Sequence, residues 1–235
     1  MHAGGEDLDR LLALVAPAAG ERALDLATGA GHVAVALARA GAAVTACDLA
    51  PGMLAETGDH LAANNLSAEL ILADAHDLPF AAGAFDIVTV RMAPHHFPDP
   101  GRFIAEVARV LRSGGRFGFE DQVTPEHPEA AAVINRFEAL RDPSHNRQLT
   151  EAEWKALAAA AGFTVKHTEL FEKRVDFDWW TSIQDAGEEV RQTISALLAN
   201  GPAEARDWYK PQFRGHGLIE RFCIPHLILL AVKPG

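Results

Sequence analysis

The segment Arg22-Ala-Leu-Asp-Leu-Ala-Thr-Gly-Ala-Gly-His32 restricts the possible folds more than any other stretch of the chain. An apolar strand carrying a carboxylate runs directly into a glycine-rich turn that opens a helix. Gly29 and Gly31 allow a sharp turn and close approach of a ligand, and the helix from His32 aims its free N–H groups at the same point. This junction is expected in α/β proteins that hold a nucleotide-type cofactor beyond the C-terminal ends of parallel strands. The spacing Gly29-x-Gly31-x-x-Ala34 also fits the dinucleotide fingerprint, so spacing alone leaves the cofactor open.

Charge separates the candidates. A dinucleotide brings a pyrophosphate, which Asp25 at the turn would repel. S-adenosylmethionine carries an ammonium and a sulfonium, which Asp25 would attract. Asp25 therefore favours S-adenosylmethionine. The next strand, Ala43-Val-Thr-Ala-Cys-Asp48, ends in an acid roughly 20 residues on, where a carboxylate takes the ribose hydroxyls of either cofactor. A third strand, Glu69-Leu-Ile-Leu-Ala-Asp-Ala75, places Asp74 to accept from an adenine amino group while the adjacent backbone N–H donates to the ring.

Strands and helices alternate through the first half. Leu8 to Val15 is apolar at helical spacing, and His32 to Arg39 is a helix stopped at Gly41. Another helix follows Pro51, where proline suits the first helical turn. Phe85 to Val90 is a continuous apolar run, as expected of a strand covered on both faces. A helix from Phe103 to Leu111 ends at Gly114-Gly115, and Arg116 to Glu120 is the fifth strand. The pattern predicts a doubly wound sheet. In the second half, helices are expected over Pro125 to Leu140 and Thr150 to Ala161, the latter with a Thr150/Glu153 capping box. Strands follow at Phe163 to Phe171 and Arg221 to Val232, separated by an insertion containing Trp179, Trp180, Trp208 and Tyr209.

The runs Leu24-Asp-Leu-Ala-Thr-Gly-Ala-Gly31, Asp74-Ala-His-Asp-Leu-Pro-Phe80, Phe85-Asp-Ile-Val-Thr-Val-Arg91 and Leu111-Arg-Ser-Gly-Gly-Arg116, with Asp48, resemble the successive motifs of class I S-adenosylmethionine-dependent methyltransferases. The nearest branch is the small-molecule group that includes the ubiquinone and menaquinone C-methyltransferases. Ala93-Pro-His-His-Phe-Pro-Asp99 and Arg141-Asp-Pro-Ser-His145 resemble segments of a narrower subgroup. The chain begins only a few residues before Asp7-Leu8, where that family usually carries a longer N-terminal segment. The resemblance implies a single α/β domain over 1–235 with a Rossmann-like, seven-stranded, mostly parallel sheet and an antiparallel C-terminal hairpin. It also implies a cofactor-binding half over 1–122 and a substrate-covering half over 123–235, the latter bearing the helical and aromatic insertion. Cofactor contacts are expected from Asp25, Ala27, Thr28, Gly29, Gly31, Asp48, Leu49, Met53, Asp74, Ala75, Arg91 and Met92.

Methyl transfer from a sulfonium is an in-line displacement, so the protein must align the partners, exclude water and, for some acceptors, remove a proton. No metal is required. His95 and His96, just past the fourth strand, are candidate bases and equally candidate wall residues. His145 is a third candidate, although Asp142-Pro-Ser144 is also ordinary turn chemistry. Arg141 could take a substrate carboxylate, and Arg91 could do so or cap its strand. Trp179 and Trp180 could cover the substrate or clamp the hairpin, and Met53 could pack on adenine or in the core.

At 235 residues and 49% apolar, the chain can bury one substantial core. A formal charge of −11 argues against a general nucleic-acid binder, since phosphate contacts need Lys and Arg, and so favours a small-molecule substrate. Cys47 and Cys223 fall in predicted strands as small buried hydrophobes without metal spacing. The segment from Met1 to Asp7 carries no basic region followed by an apolar core, and the apolar run near Leu227 to Val232 is too short to span a bilayer. The expectation is a cytoplasmic monomer or homodimer. Three competing readings stand beside methyl transfer: cyclisation of the cofactor with release of methylthioadenosine, an NAD-dependent oxidoreductase, and a non-catalytic cofactor-binding module. Asp25 and the lack of an evident proton-relay tyrosine disfavour the oxidoreductase, the only tyrosine being the distant Tyr209.

Overall fold

The computed structural model describes residues 5–235. The stretch from Met1 read above for a leader therefore lies mostly outside the described residues. Eight strands form one sheet. They are β1 (Arg22–Leu26), β2 (Ala43–Asp48), β3 (Glu69–Leu72), β4 (Phe85–Arg91), β5 (Leu111–Gln122), β6 (Thr164–Asp176), the two-residue β7 (Gln212–Phe213) and β8 (Ile219–Val232). The seven main strands run in the order β3-β2-β1-β4-β5-β8-β6, and β7 pairs with β8. The first five are mutually parallel, whereas β8 is antiparallel to both β5 and β6. The doubly wound, mostly parallel sheet with antiparallel C-terminal strands is thus as the sequence led us to expect.

Helices α1 (Glu6–Val15), α2 (His32–Arg39) and α3 (Pro51–Ala63) cover one face. Leu8, Val15, Val33 and Leu37 pack there against Ala23, Val44 and Ile87 of the strands. On β5, Gly118 admits α1: a Cβ there would stand 2.4 Å from Val15 Cγ1 and 3.0 Å from Leu11 Cδ1. The opposite face is covered by α4 (Pro100–Val110) and α6 (Glu151–Ala160), with Phe103, Val107, Trp154 and Ala158 on Phe117 and Phe119. Local signals set these helices. Asp99 caps α4 by accepting from the Arg102 N–H at 2.9 Å ahead of Pro100, and Thr150 and Glu153 form a reciprocal capping box on α6. A third apolar cluster joins α5 (Pro128–Arg141), α7 (Phe177–Ser182), α8 (Glu188–Asn200) and α9 (Ala203–Tyr209) to the far ends of β6 and β8.

Several boundaries differ from the expectation. β3 stops at Leu72 because Asp74 bridges to Asp77 in a turn. β6 continues past Phe171 to Asp176, since its pairing with β8 persists to Asp176↔Arg221. The insertion between β6 and β8 consequently consists of α7 to α9 followed by the short β7. Cys47 and Cys223 are buried and unbridged. Among the described residues no helix is long and apolar enough to cross a membrane.

Candidate active site

The glycine loop follows β1 with Ala27, Gly29 and Gly31 at φ values of 49°, 54° and 79°. Two of these left-handed positions are glycines, where such a φ carries little steric cost. The loop is braced from α3: the Thr57 hydroxyl donates to the Gly29 carbonyl at 2.7 Å, and His60 Nδ1 donates to the Ala30 carbonyl at 2.8 Å. Gly31 touches that brace, since a Cβ would fall 2.8 Å from Thr57 Cγ2 and 3.1 Å from Thr57 Cα, whereas one on Gly29 would meet nothing within 4 Å. The two glycines should therefore fail differently. Gly31→Ala should cost roughly 2–4 kcal/mol from the clash plus left-handed strain, seen as a lowered thermal midpoint. Gly29→Ala should cost only about 1 kcal/mol of strain but project a methyl into ligand space and weaken calorimetric cofactor binding.

Asp25 lies behind this loop rather than at its mouth. It is 1% exposed and accepts from the Thr28 hydroxyl at 2.7 Å and the Thr89 hydroxyl at 2.9 Å. It lines neither of the cavities described below and supports the loop through these bonds. Burial pushes its carboxyl up to about 6, against those hydrogen bonds. A carboxyl that binds its proton more tightly folded than unfolded stabilises the fold below its unfolded pKa of about 4 and loses that contribution as pH rises through about 6. For a shift of about two pKa units the loss is ~3 kcal/mol. It should disappear from the pH dependence of urea unfolding in Asp25→Asn.

Two cavities open beyond the strand ends. The first, of about 610 Å³, is lined by Ala27 and Gly29 of the loop, Asp48, Leu49 and Met53 after β2, Asp74 and Ala75 after β3, and Met92 after β4. Asp48 Oδ2 accepts from the Gly29 N–H at 3.0 Å and Oδ1 from the Ala50 N–H at 2.9 Å, so the carboxylate is oriented by the loop itself. Asp74 Oδ1 accepts from the His76 backbone at 2.9 Å and lies 2.7 Å from His76 Nδ1; these contacts hold its pKa below the ordinary value. Leu49 and Met53 expose apolar side chains at 70% and 37%, with acids on either side. An apolar slot between a ribose-type acid and an adenine-type acid fits the nucleoside of S-adenosylmethionine.

The second cavity, of about 330 Å³, is lined by Thr28, Arg91, His95, Arg141 and Trp180, and shares Ala27, Gly29, Met92 and His96 with the first. His95 and His96 sit on a single 3-10 turn, Pro94–His96, with ring centroids 4.1 Å apart. Asp121 at the end of β5 anchors that turn: one oxygen accepts from the His95 backbone N–H and the other from His95 Nδ1, both at 2.7 Å. Burial works against the His95 cation, but the Asp121 carboxylate outweighs it and raises the His95 pKa. His96 shifts the other way, lowered first by burial and then by the His95 charge.

The tautomer of His96 follows from its partners. Its Nδ1 lies 3.0 Å from the Ser144 carbonyl and 3.2 Å from the Ser144 hydroxyl, whose own hydrogen goes to Asp142 Oδ1 at 2.5 Å. Both Ser144 oxygens can then only accept, so the proton resides on Nδ1 and the lone pair on Nε2. An Asp142–Ser144–His96 chain thus orients the His96 ring with Nε2 free where the two cavities meet.

Four expected site residues lie elsewhere. Asp25 and Gly31 support the loop, and Trp179 packs against the third apolar cluster. His145 turns away from the cavities, with Nε2 donating to Asn135 Oδ1 at 3.0 Å and burial depressing its pKa to about 4. Conversely, Gln122, Lys173 and His226 line the second cavity without having been singled out from the sequence. Asp121 and Ser144 were missed as well. Arg91 forms an ion pair with Asp7 of α1 at 2.6 Å, and Lys173 also reaches Asp7 at 3.0 Å and Glu120 at 3.1 Å. Burial opposes the Asp7 charge, but Lys173 and Arg91 prevail and bring its pKa to about 2. Among the described residues no group of three or more His, Cys, Asp or Glu has the arrangement to hold a metal.

Comparison with known proteins agrees with this geometry. Residues 24–119 match the family model described as a methyltransferase domain. The uncharacterized methyltransferase YcgJ of Bacillus subtilis is 29% identical over 99% of this chain and 92% of its own length, and its crystal structure superposes with a TM-score of 0.93. The crystal structure of BH2331 from Bacillus halodurans has a TM-score of 0.93 at 32% identity, covering 98% of this chain and 100% of that one. A demethylmenaquinone methyltransferase of Thermus thermophilus is 41% identical across 67% of this chain and 81% of its own length. With the glycine loop, the acid-lined slot and the sheet order all present, the chain belongs to the class I S-adenosylmethionine-dependent methyltransferases.

Proposed function

We propose that the protein transfers the methyl group of S-adenosylmethionine to a nucleophilic atom of a small molecule, with His96 removing the acceptor's proton. The observation that carries this reading is the junction of the two cavities. Of the four residues lining both, His96 alone has an acid–base group, and its lone pair is fixed on Nε2 by Ser144. The first cavity holds the nucleoside, with Asp48 on the ribose, Asp74 on the adenine amino group, and Leu49 and Met53 on the ring faces. When bound, the cofactor supplies an electrophilic methyl on a positively charged sulfur.

The chain's own tasks then follow. The second cavity positions the acceptor, while Trp180, Val175 and Ile224 on its wall restrict water. As the acceptor's lone pair forms the new bond to carbon, its proton passes to His96 Nε2 and the broken carbon–sulfur pair stays on sulfur, leaving a neutral thioether. Burial first, and then the His95 ring beside it, lower the His96 pKa and so favour its unprotonated form before the step. The buried Asp121 carboxylate acts through His95 and is a positioning group.

The products distinguish this from the cyclising alternative. Purified protein incubated with S-adenosylmethionine should release S-adenosylhomocysteine only when a metabolite extract is added, followed by mass spectrometry. Methylthioadenosine appearing without any acceptor would instead mean attack of the cofactor's amine on its own side chain.

A further inference from the structure

From the far wall of the second cavity we infer that the acceptor is a small carboxylic acid whose carboxylate is received by Arg141 and Gln122; the inference rests on the methyl-transfer reading above. The wall is one face of the sheet. Gln122 ends β5 and lies in register with His226 of β8, while Lys173 of β6 pairs with Ile224 of β8. All four line the cavity. Arg141 faces them from the end of α5, its guanidinium carbon 4.4 Å from the centre of the Trp180 ring.

Two donors on this wall face the cavity, and one of them, Arg141, has a buried Nε without an acceptor. Gln122 is 7% exposed as a residue and lines the cavity with its polar end at the close of β5. Arg141 stands 3.5 Å from Glu138 Oε2 and 3.8 Å from Asp142 Oδ2, long for charge-assisted hydrogen bonds, and its buried Nε has no acceptor. Buried polar groups are ordinarily satisfied, so the open Arg141 Nε beside the Gln122 amide on a cavity wall points to a ligand that accepts from both. The nearby acids are engaged elsewhere except for Glu138 Oε2, which stands 3.5 Å from Arg141 and makes no hydrogen bond of its own. Both oxygens of Asp142 are already taken, by Ser144 and by Gln184 Nε2 at 2.9 Å, and Glu138 Oε1 accepts from Tyr209 at 2.7 Å.

Charge selects a monoanion. Lys173 and Arg91 are balanced by Asp7 and Glu120, and these two acids do not line the cavity. Arg141 is the remaining cation of the wall, and with Glu138 and the cavity-lining Asp142 standing 3.5 and 3.8 Å away it leaves too little positive charge for a doubly charged phosphate. Size agrees, because about 330 Å³ also has to admit the cofactor's methionine end beside the loop. Val175, Ile224 and Trp180 leave an apolar wall for the rest of the acid.

The test uses the full-length protein with methyl-13C S-adenosylmethionine and a metabolite extract separated by anion exchange. Labelled product should arise from the retained fraction and persist after phosphatase treatment. With the acceptor purified from that fraction, Gln122→Glu, which keeps the side chain's shape and adds a charge, should raise its KM by about 10–100-fold. Cofactor affinity measured by calorimetry should stay unchanged, and Arg141→Gln should act in the same direction. Labelled product arising only from the unretained fraction, or abolished by phosphatase, would overturn the carboxylic acid while leaving methyl transfer intact. No labelled product from any fraction, with cofactor still bound, would overturn the small-molecule reading itself.

Discussion

Replacing His96 with asparagine should lower kcat by roughly 10²–10⁴-fold, while the dissociation constant for S-adenosylmethionine changes by less than about threefold. Asparagine can still donate to the Ser144 carbonyl, so the turn keeps its anchor and only the Nε2 lone pair is lost. Rapid-quench kinetics and calorimetry on one preparation separate the two quantities. The pH profile adds a sign. His96 must be neutral to accept a proton, and burial together with the His95 charge lowers its pKa, so kcat/KM should stay on its plateau until pH falls below the ordinary histidine value of about 6.5. His95→Gln removes one of those causes and should move the acid limb upward. An unaltered kcat in His96→Asn would place proton removal elsewhere.

Asp48→Ala should weaken cofactor binding by about 100-fold. The carboxylate is to accept from ribose hydroxyls and already accepts from the Gly29 and Ala50 N–H groups, so its loss removes ligand contacts and loosens the loop together. Asp48→Asn retains one acceptor oxygen and should cost nearer tenfold. With saturating cofactor, both variants should recover most of the wild-type kcat, because the base and the second cavity are untouched. A variant that binds normally in calorimetry would remove the ribose role of Asp48.

The sheet was legible in the sequence because its signals are local. Glycines at the turn, acids at the strand ends and the mainly apolar run of β4 depend on neighbours within a few residues, and each reappears in the structure. Asp25 was misplaced for the same reason. Its charge is visible in the sequence, but its direction is set by Thr89, 64 positions away. Asp121 and Ser144 gave no signal of their own, since both acquire a role only when the turn at His95 docks between β5 and the 142–147 segment. Backbone bonds from Asn146 and Arg147 to the His95 carbonyl make that dock. Gln122 is silent in the sequence, being the last of three polar residues that end β5. The cavity gives it meaning.

The position of β8 has a consequence for synthesis. It lies between β5 and β6 although it follows both in sequence, so β6 has no partner and β5 has only β4 until residues 219–232 have been made. A nascent chain with β5 finished therefore presents an unpaired edge bearing Phe117 and Phe119 while more than a hundred residues remain to be translated. A ribosome stalled before codon 219 would display a sticky, unfinished sheet. Holding chaperones should engage that arrested chain and let go once the final strand clears the exit tunnel.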